Sequence, residues 1–519
     1  MFGTMPNIEL PTRLNIDQWF LGARIEEGAG DREALRLDDG SLTYGDVHDL
    51  ARGLGVALRS LGVDPEQRVL IVLPDGADFV GALFGILRVG AVAVMLNPAL
   101  VPGALAAVVD RSRAPVALVH ADHLAVVTEA VAQATWKPTI VVVGGEATDH
   151  PSLHDVDRAG ACAPFDTHRD DPAIWLFSGG TTGVPKAVVQ THRSFANTAA
   201  LYPPAVGYRS DDVTMAVPKL YFGYATGSNL FFPFALGATA VLFGEAPTPE
   251  VLFDRIERHR PSILVHVPSS MNQMLAHDRS VTADLSSLRF ATSAGEALPE
   301  SLYRAWVDRW GVEVYDGLGT AEMWHVFVTN QPGRVRPGTL GTVVAGFELA
   351  IRDEHGTDVE PGEVGRLWVR GESRGLGYVQ DLDTTSDVFR GEWVVAGDLA
   401  SIDSGGYVTH RGRADDAVKV KGKWFRPQEL ESCLLEHPSV ASTAVIAAED
   451  EAGLARPVAF VVRSADVTEE QLVEWVLARL EAYKHPRRVF FVETLPVTHL
   501  GKVDRGELRR MIEPDTTMS

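Results

Sequence analysis

The sequence predicts an α/β protein with a large N-terminal domain of parallel βαβ-type sheets, a β-rich subdomain, and a small mobile C-terminal α+β domain. Three observations predict this class: strand and helix patterns alternate, the chain has 519 residues, and the pattern changes after Arg413. One hydrophobic core stops growing well below this length, so more than one domain is expected. Strands that alternate with helices form right-handed βαβ units around a mostly parallel sheet.

The alternation is clearest between Leu42 and Gly145 and resumes after Pro164. Short apolar runs predict strands, and apolar residues at helical spacing between Phe79 and Leu87 predict a helix that Gly90 closes. A second helix is predicted from Leu298 to Trp306. The predicted strands are Val69–Leu73, Ala91–Leu96, Val116–Val119, Thr139–Val143, Ile174–Phe177, Ile263–Val267, Phe290–Thr292 and Val312–Tyr315.

The last third of the chain has a different pattern. Between Gly338 and Val408 short strands punctuated by glycine dominate, which indicates the β-rich subdomain. Beyond it, Thr468 and Gln471 have the spacing of a capping box and predict the start of a helix. The remaining predicted elements are a helix over Gln428–Leu435 and strands over Ser442–Ile446, Val458–Val462 and Val489–Val492. The predicted domains are therefore residues 1–414 and 415–519.

Composition excludes several classes of protein. The formal net charge of −22 argues against a nucleic-acid partner and against an anionic membrane surface. Two distant cysteines, Cys162 and Cys433, provide neither a disulfide framework nor the spacing of a cysteine zinc site. The N-terminus does not resemble a signal peptide, and charged residues interrupt the longest apolar stretch, so a cytoplasmic protein is expected.

The strongest chemical signal is a loop rich in glycines and hydroxyls directly after the strand Ile174–Phe177. Its glycines allow backbone N–H groups to surround an anion, and its lysine adds a point charge. It is not a Walker A loop, because Val-Pro separates Gly183 from the lysine. The predicted phosphate contacts are Ser178, Gly179, Gly180, Thr181, Thr182, Gly183 and Lys186.

Carboxylates in two further places suit a nucleotide and its metal. Gly317 and Gly319 do not begin a dinucleotide fingerprint, because Glu322 occupies the third glycine position. A carboxylate two residues after the Thr320 hydroxyl predicts a Mg²⁺ ligand that shares the ion with phosphate oxygens. Asp398 follows the apolar Trp393-Val394-Val395 and is expected at a strand end, where an aspartate can bind ribose hydroxyls.

In this order, the motifs resemble the acyl-adenylate-forming superfamily, which includes acyl-CoA ligases, firefly luciferase and non-ribosomal adenylation domains. The resemblance runs over nearly the whole chain. Within the superfamily the sequence looks most like the benzoate–CoA ligases, through the segments 216–224, 292–299 and 322–325.

The resemblance implies ATP, Mg²⁺ and coenzyme A as reaction partners, and a role for each matching residue. Lys502, Thr181 and Glu322 are implied as catalytic, with Glu322 also the metal ligand, Asp415 as the hinge and Gly422 in the thiol tunnel. Outside the loop, the resemblance implies a phosphate contact for Thr320, ribose contacts for Asp398 and Arg413, and a nucleotide contact for Gly317. The adenine pocket is implied for Ala294, Gly295, Glu296, Ala297 and Asp316. The acyl pocket is implied for Gly223, Tyr224, Gly317, Gly319, His325 and Val326.

The implied reaction joins a small aromatic acid to coenzyme A through an acyl-AMP. Glycines beside Tyr224 and His325 suit a flat ring, which favours benzoate or a benzoate with one small amino or hydroxyl group. Lys421 stands where the family has a small residue, in a segment that bears on the thiol half-reaction. The sequence therefore defines the adenylation step better than the identity of the thiol acceptor. A stand-alone enzyme that loads a carrier-protein thiol and a non-catalytic nucleotide-binding relative stay open as alternatives. A homodimer and the pathway served, degradative or biosynthetic, also stay open.

Overall fold

The structure is a computed structural model that describes residues 8–144, 150–153, 156, 158–178, 186–414, 418–420, 423–449, 455–496 and 503–512. It divides into two compact units. The first contains residues 1–349 and 369–394, and the second contains 350–368 and 395–519. The division passes through three strands, and the boundary expected between residues 414 and 415 stays a prediction because residues 415–417 lie outside the described ranges.

The first part of the first unit contains the alternation that the sequence predicts. After a π-helical turn over Gln18–Gly22, its elements are α1 (Ala23–Glu26), β1 (Glu33–Leu37), β2 (Gly40–Thr43), α2 (Tyr44–Ser60), β3 (Arg68–Val72), α3 (Ala77–Arg88), β4 (Val92–Met95), α4 (Pro102–Ser112), β5 (Val116–His120), α5 (Leu124–Gln133), β6 (Thr139–Val143), β7 (Pro172–Ser178) and β8 (Lys186–Thr191). The helix expected to end at Gly90 does so, because Gly90 has a φ of 76° just beyond its last turn.

The rest of the first unit continues with α6 (His192–Val206), β9 (Val213–Ala216), α7 (Gly223–Thr226), α8 (Phe232–Leu236), β10 (Thr239–Val241), α9 (Pro249–His259), β11 (Ile263–His266), α10 (Pro268–Ala276), β12 (Phe290–Ala294), α11 (Glu300–Trp310), β13 (Glu313–Gly319), β14 (Val326–Thr329), β15 (Thr342–Val343), β16 (Phe347–Arg352), β17 (Gly365–Gly371), β18 (Gly377–Tyr378), α12 (Leu382–Val388), β19 (Phe389–Arg390) and β20 (Trp393–Ile402). Strands β16, β17 and β20 each have residues in both units. A π-helical turn, Gly227–Phe231, separates α7 from α8.

Two large sheets form the frame of the first unit. One has the strand order β18-β8-β7-β4-β3-β5-β6, with β7 to β6 parallel and β8 and β18 antiparallel at one edge. The other has the order β15-β14-β13-β12-β11-β9-β10-β1-β2, in which β13 to β1 are parallel. Their central parallel strands are buried on both faces, which explains why they appear in the sequence as continuous apolar runs. The predicted α/β class with large parallel sheets is confirmed.

The second unit is smaller and contains both strands and helices; it includes the predicted domain 415–519 together with residues 350–368 and 395–414. Its elements after β20 are β21 (Val408–Arg413), β22 (Val418–Val420), β23 (Lys423–Phe425), α13 (Pro427–Leu435), β24 (Val440–Glu449), β25 (Ala455–Arg463), α14 (Glu469–Leu477), β26 (Arg488–Phe491) and α15 (Arg505–Ile512). The predicted capping box is present: Thr468 accepts a hydrogen bond from the backbone of Gln471, whose side chain accepts one in return. Strands β24, β25 and β26 form one sheet.

Strand β13 is longer than the predicted run Val312–Tyr315. It continues to Gly319 because its last residues pair with β14, which turns back beside it. Asp316, Gly317 and Gly319 therefore lie in a strand and not in the loop that follows one. Among the described residues, no helix is both long enough and apolar enough to cross a bilayer.

Candidate active site

The two segments predicted to hold the nucleotide base lie side by side on neighbouring parallel strands. Ser293 of β12 is the register partner of Asp316 of β13, and Ala294 is the partner of Gly317. Beyond β12, Gly295 has a φ of 90°, and the Glu296 carboxylate accepts hydrogen bonds from the backbone N–H and hydroxyl of Ser269 at 2.9 and 3.0 Å. Both segments end at the carboxyl edge of the sheet, where ligands of open α/β sheets bind.

Asp316 is a buried carboxyl group that keeps its proton at neutral pH. It is 6% exposed, and burial raises its pKa to about 8, while hydrogen bonds from Ser293 and the backbone of Gly317 oppose the shift. Its Oδ1 atom has no hydrogen-bond partner within the described ranges. A protonated carboxyl group donates as well as accepts, so Asp316 can contact a neutral heteroaromatic ring without adding a charge.

Glu322 lies in a short turn beyond β13, where Thr320 caps the 3₁₀ turn Ala321–Met323. The hydroxyl of Tyr378 donates to Glu322 Oε1, and the backbone N–H of Gly375 donates to the Glu322 carbonyl at 2.8 Å. The described residues give Glu322 Oε2 no partner. The half-buried Glu322 carboxylate thus has Oε1 fixed by Tyr378 and Oε2 available, two residues along the chain from the Thr320 hydroxyl.

Lys186 opens β8 and reaches the same neighbourhood. Its Nζ lies 3.8 Å from Asp381 Oδ2 and donates to Thr384 Oγ1 at 3.3 Å. The Nζ is also 5.8 Å from the centre of the Tyr378 ring. We call Lys186, Glu322, Tyr378, Asp381 and Thr384 the phosphate-side cluster.

The carboxylate oxygens of Glu322 are of the type that binds Mg²⁺ when phosphate oxygens of the substrate are also ligands. Magnesium prefers oxygen ligands and is commonly bound by one or two carboxylates together with phosphate oxygens and water. The described residues contain no group of three or more histidine, cysteine or acidic side chains arranged for a metal. Glu322 is the residue here that would hold such an ion, together with phosphate oxygens of the substrate.

A second cluster contains two of the residues predicted for the acyl group, Tyr224 and His325. His325 is 2% exposed, and its Nε2 lies 3.2 Å from the Tyr224 carbonyl oxygen and 3.1 Å from Ser228 Oγ. Because a carbonyl oxygen only accepts, Nε2 carries the hydrogen. Burial lowers the pKa of His325 to about 3, so the ring is neutral. We call Tyr224, Ser228, Thr292 and His325 the acyl cluster.

Tyr224 closes the other side of this cluster. Its hydroxyl shares a hydrogen bond of 2.7 Å with Thr292 Oγ1, and its ring centre is 5.5 Å from that of His325. Burial raises the pKa of Tyr224 well above its ordinary value, so the hydroxyl stays protonated. The acyl cluster therefore carries no formal charge at neutral pH.

Three glycines of the predicted acyl pocket are closely surrounded by protein atoms, and their contact with the acyl group stays a prediction. A Cβ on Gly319 would lie 2.5 Å from the His325 carbonyl oxygen, and one on Gly317 would lie 2.6 Å from that of Val328. Val326 is the register partner of Gly319. These glycines are required because β14 approaches β13 closely. Gly223 is also confined, since its Cβ would lie 3.2 Å from Leu176 Cδ1.

Several predicted site residues lie outside the described residues. Strands β7 and β8 flank the predicted phosphate loop, with Ser178 and Lys186 as register partners. The roles assigned there to Ser178 and to the loop stay predictions, as do those of the hinge, the tunnel glycine and the C-terminal lysine. The residues concerned are Gly179, Gly180, Thr181, Thr182, Gly183, Asp415, Gly422 and Lys502.

The expected position of Asp398 at a strand end is wrong. It lies inside β20, because β21 pairs with β20 beyond the apolar residues that the sequence shows. Asp398 is the register partner of Arg413, and their nearest charged atoms are 3.6 Å apart. His410 Nε2 lies 3.0 Å from the other carboxylate oxygen of Asp398. These three residues belong to the second unit.

Sequence reasoning missed six residues that the structure places in or beside the clusters: Tyr378, Asp381, Thr384, Ser228, Thr292 and Trp324. Trp324 has a φ of 63°, which is strained for a bulky side chain, and it lies between Glu322 and His325 in the chain. The other five form their contacts across long stretches of sequence, and no local pattern marks them.

Comparison with known proteins agrees with the resemblance. Residues 23–379 match the family described as AMP-binding enzyme, and residues 429–502 match the AMP-binding enzyme C-terminal domain. The chain is 37% identical over 518 residues to a benzoate–CoA ligase of Thauera aromatica, covering 98% of each protein.

Solved structures give the same result. A crystal structure of an anthranilate–CoA ligase in complex with anthranoyl-AMP has a TM-score of 0.91 and 35% identity, covering 97% of this chain and 98% of that one. Crystal structures of a benzoate–CoA ligase from Burkholderia xenovorans LB400 have a TM-score of 0.87 and 34% identity, with 95% and 99% covered. The chain therefore belongs to the AMP-binding enzymes of the acyl-adenylate-forming superfamily, as a relative of the benzoate–CoA ligases.

Proposed function

We propose that this protein is an AMP-forming aryl-CoA ligase. It activates benzoate, or a benzoate with one small uncharged substituent, with ATP and transfers the acyl group to coenzyme A. Membership of the same family as benzoate– and anthranilate–CoA ligases supports the proposal that the chain catalyses this reaction. The observation that carries the choice of acid is the uncharged acyl cluster around His325 and Tyr224. Thr292 connects this cluster to β12, one of the two strands that carry the predicted base-binding segments.

The acyl cluster suits a neutral aromatic ring. His325 is neutral and Tyr224 is protonated, so neither provides a cation for a second carboxylate on the substrate. Burying an unpaired carboxylate costs several kcal/mol or more, whereas an aromatic ring gains from apolar and edge-to-face contacts. We therefore expect the enzyme to reject phthalate, which carries a second carboxylate, while it accepts benzoate.

In the first half-reaction, an oxygen of the substrate carboxylate attacks the α-phosphorus of ATP. The bond from that phosphorus to the bridging oxygen breaks, and pyrophosphate leaves. The protein contributes position and charge: Lys186 lies at the start of β8, and Glu322 provides a carboxylate for the metal. When bound, Mg²⁺ would neutralise charge that develops on the phosphate oxygens. Lys502 is proposed to reach the reacting carboxylate from the C-terminal domain.

In the second half-reaction, the thiol sulfur of coenzyme A attacks the acyl carbonyl carbon, and AMP leaves as the thiol proton passes to solvent. The C-terminal domain is proposed to rotate about Asp415 between the two steps, so that Lys502 withdraws and Gly422 lines the thiol tunnel. Asp398 and Arg413 are proposed to contact the ribose. Asp398 already accepts hydrogen bonding from His410, which fixes its carboxylate.

The experiment that tests this function uses the full chain with ATP, Mg²⁺ and a panel of acids. Pyrophosphate release and mass spectrometry of the thioester are measured with benzoate, 2-aminobenzoate, phthalate and decanoate. We expect benzoyl-CoA or aminobenzoyl-CoA, and no product from the other two acids. A preference for decanoate would contradict the proposal. Aryl-AMP that accumulates in the presence of coenzyme A would instead identify a carrier-protein thiol as the acceptor.

The C-terminal lysine provides a sharper test of the mechanism. Lys502→Ala is expected to suppress aryl-AMP formation far more than it slows thioester formation from aryl-AMP supplied to the enzyme. Equal loss in both half-reactions would remove Lys502 from the first step.

A further inference from the structure

A short segment, residues 375–385, contacts two charged residues of the phosphate-side cluster, Glu322 and Lys186. It contains β18 and the beginning of α12. Strand β18 pairs with β8, with Tyr378 opposite Val188, and the backbone N–H of Val379 donates to the Ala187 carbonyl at 2.9 Å. The segment is therefore fixed beside the strand that Lys186 begins. We call it the positioning segment.

The first group that the positioning segment holds is Glu322. Two hydrogen bonds reach this residue from the segment: the Tyr378 hydroxyl donates to the carboxylate, and the Gly375 N–H donates to the carbonyl. Tyr378 is itself held, because its backbone N–H donates to Thr385 Oγ1 at 2.9 Å. A carboxylate with one oxygen held by a fixed hydroxyl can present the other in one direction.

The second group is Lys186. Asp381 and Thr384 contact its ammonium group, and the Thr384 N–H donates to the Asp381 carboxylate at 3.1 Å. The side chains of Lys186 and Asp381 are 35% and 34% exposed. Ion pairs this exposed are weak, so a triphosphate, with more negative charge, can displace Asp381 from the lysine.

We propose that the positioning segment prepares the nucleotide-free enzyme for MgATP, with Tyr378 as a positioning residue for the Glu322 carboxylate and Asp381 as the carboxylate that holds Lys186 until phosphate replaces it. This inference rests on the proposed function, because it assigns the two charged groups to a metal and a triphosphate. It adds two residues, Tyr378 and Asp381, that act through Glu322 and Lys186.

Tyr378→Phe tests the first half of this proposal. Mn²⁺ serves as the probe for the metal, and α,β-methylene-ATP as the nucleotide, because its α–β bridge cannot be cleaved. Residues that orient a metal ligand typically change metal affinity by about 10- to 100-fold when they are replaced. Electron paramagnetic resonance should therefore show about tenfold weaker Mn²⁺ binding to the variant in the presence of the analogue.

The matched control is Tyr303→Phe. The Tyr303 hydroxyl also donates to a glutamate, Glu313, at the opposite end of β13 from the site. The control should bind Mn²⁺ as the wild type does. Unchanged Mn²⁺ affinity in Tyr378→Phe, or an equal loss in Tyr303→Phe, would overturn the role of Tyr378.

Asp381→Asn tests the second half. It removes the charge that holds Lys186 but keeps an oxygen that can accept from Thr384. Because exposed ion pairs contribute little, we expect about two- to fivefold tighter binding of α,β-methylene-ATP at low salt, with a smaller gain at high salt. Asp284→Asn, which removes another carboxylate that accepts from a backbone N–H and pairs with an arginine, is the control and should show no gain. Unchanged or weaker binding to Asp381→Asn would overturn the role of Asp381.

These binding measurements separate this inference from the proposed function. If the wild type binds Mn²⁺ and the analogue but releases no pyrophosphate with any aromatic acid, the proposed function fails. The binding measurements on the variants then still decide the positioning role. If the wild type is active and the two variants bind like their controls, the positioning role fails alone.

Discussion

Asp316→Asn should make the protein more stable at neutral pH. It should also remove the contribution of this carboxyl group to the pH dependence of the free energy of unfolding. In the folded state burial keeps Asp316 protonated up to about pH 8, whereas an exposed aspartate loses its proton near 3.8. Folding therefore takes up a proton at any pH between these two values. The contribution of this group to stability is complete below pH 3.8 and is lost progressively as the pH rises towards 8.

The size of the effect follows from the two pKa values. At pH 7 the pH is about three units above 3.8, and each unit corresponds to about 1.36 kcal/mol, so the loss approaches 4 kcal/mol. Asparagine has nearly the same shape and does not ionise. The free energy of unfolding of the variant should therefore exceed that of the wild type by up to about 4 kcal/mol at pH 7, and by little at pH 4.

Thermal unfolding of both proteins between pH 4 and pH 9 measures this difference. The gap in Tm should widen by several degrees from pH 4 to pH 8 and then stay constant. Asp17 and Asp75 have raised pKa values of about 7 and about 6 and add the same slope to both proteins, so the difference isolates Asp316. A gap that is independent of pH would refute the assignment of a buried, protonated carboxyl group.

Three further predictions concern packing and the acyl cluster. Arg88→Met leaves its buried partner Asp17 without a cation, so the free energy of unfolding should fall by about 3 kcal/mol at pH 8, and by less at pH 5, where Asp17 is neutral. Gly319→Ala places a methyl group against the backbone of β14 and should lower stability by about 1–3 kcal/mol, as thermal unfolding would show. Ser228→Ala removes one hydrogen bond from His325 and should lower kcat/KM for benzoate about fivefold in a pyrophosphate assay, with the KM for ATP unchanged.

Each of these predictions has a result that would contradict it. Equal destabilisation by Arg88→Met at pH 5 and pH 8 would show that lost packing, not an uncompensated charge, dominates. Gly103→Ala is the control for Gly319, because a Cβ at this helical position meets nothing within 4 Å and should be neutral or stabilising. A Ser228→Ala variant that loses affinity for ATP and benzoate equally would indicate a general structural role.

Local sequence patterns were sufficient to predict most of the helices and strands of the fold. The strand predicted at residues 139–143 has the same bounds in the structure, and the Thr468 capping box begins α14 as expected. Both are local: one is a continuous apolar run that two faces bury, and the other is a hydrogen-bond exchange within four residues. Strand ends were less accurate, because pairing with β14 and β21 extends β13 and β20 beyond their apolar residues.

For the site, sequence indicated which residue types are present but not what each one contacts. The segments around Ala294 and Asp316 do come together, as parallel neighbouring strands require. For the glycines of β13 the structure adds a reason that the sequence does not show, because a Cβ at either position would meet the backbone in or next to β14. Tyr378 and Asp381 were missed because their partners lie 56 or more residues away in the chain.

The sequence by itself determined the α/β class, the family and the set of groups that can bind phosphate, metal and an aromatic acid. These properties depend on periodicity and on short motifs, and both can be read along the chain. Only the tertiary structure decided that Asp316 is protonated, that His325 is a neutral ring with its hydrogen on Nε2, and that Tyr378 fixes Glu322. Protonation and orientation depend on burial and on partners from distant strands, and these exist only after the chain has folded.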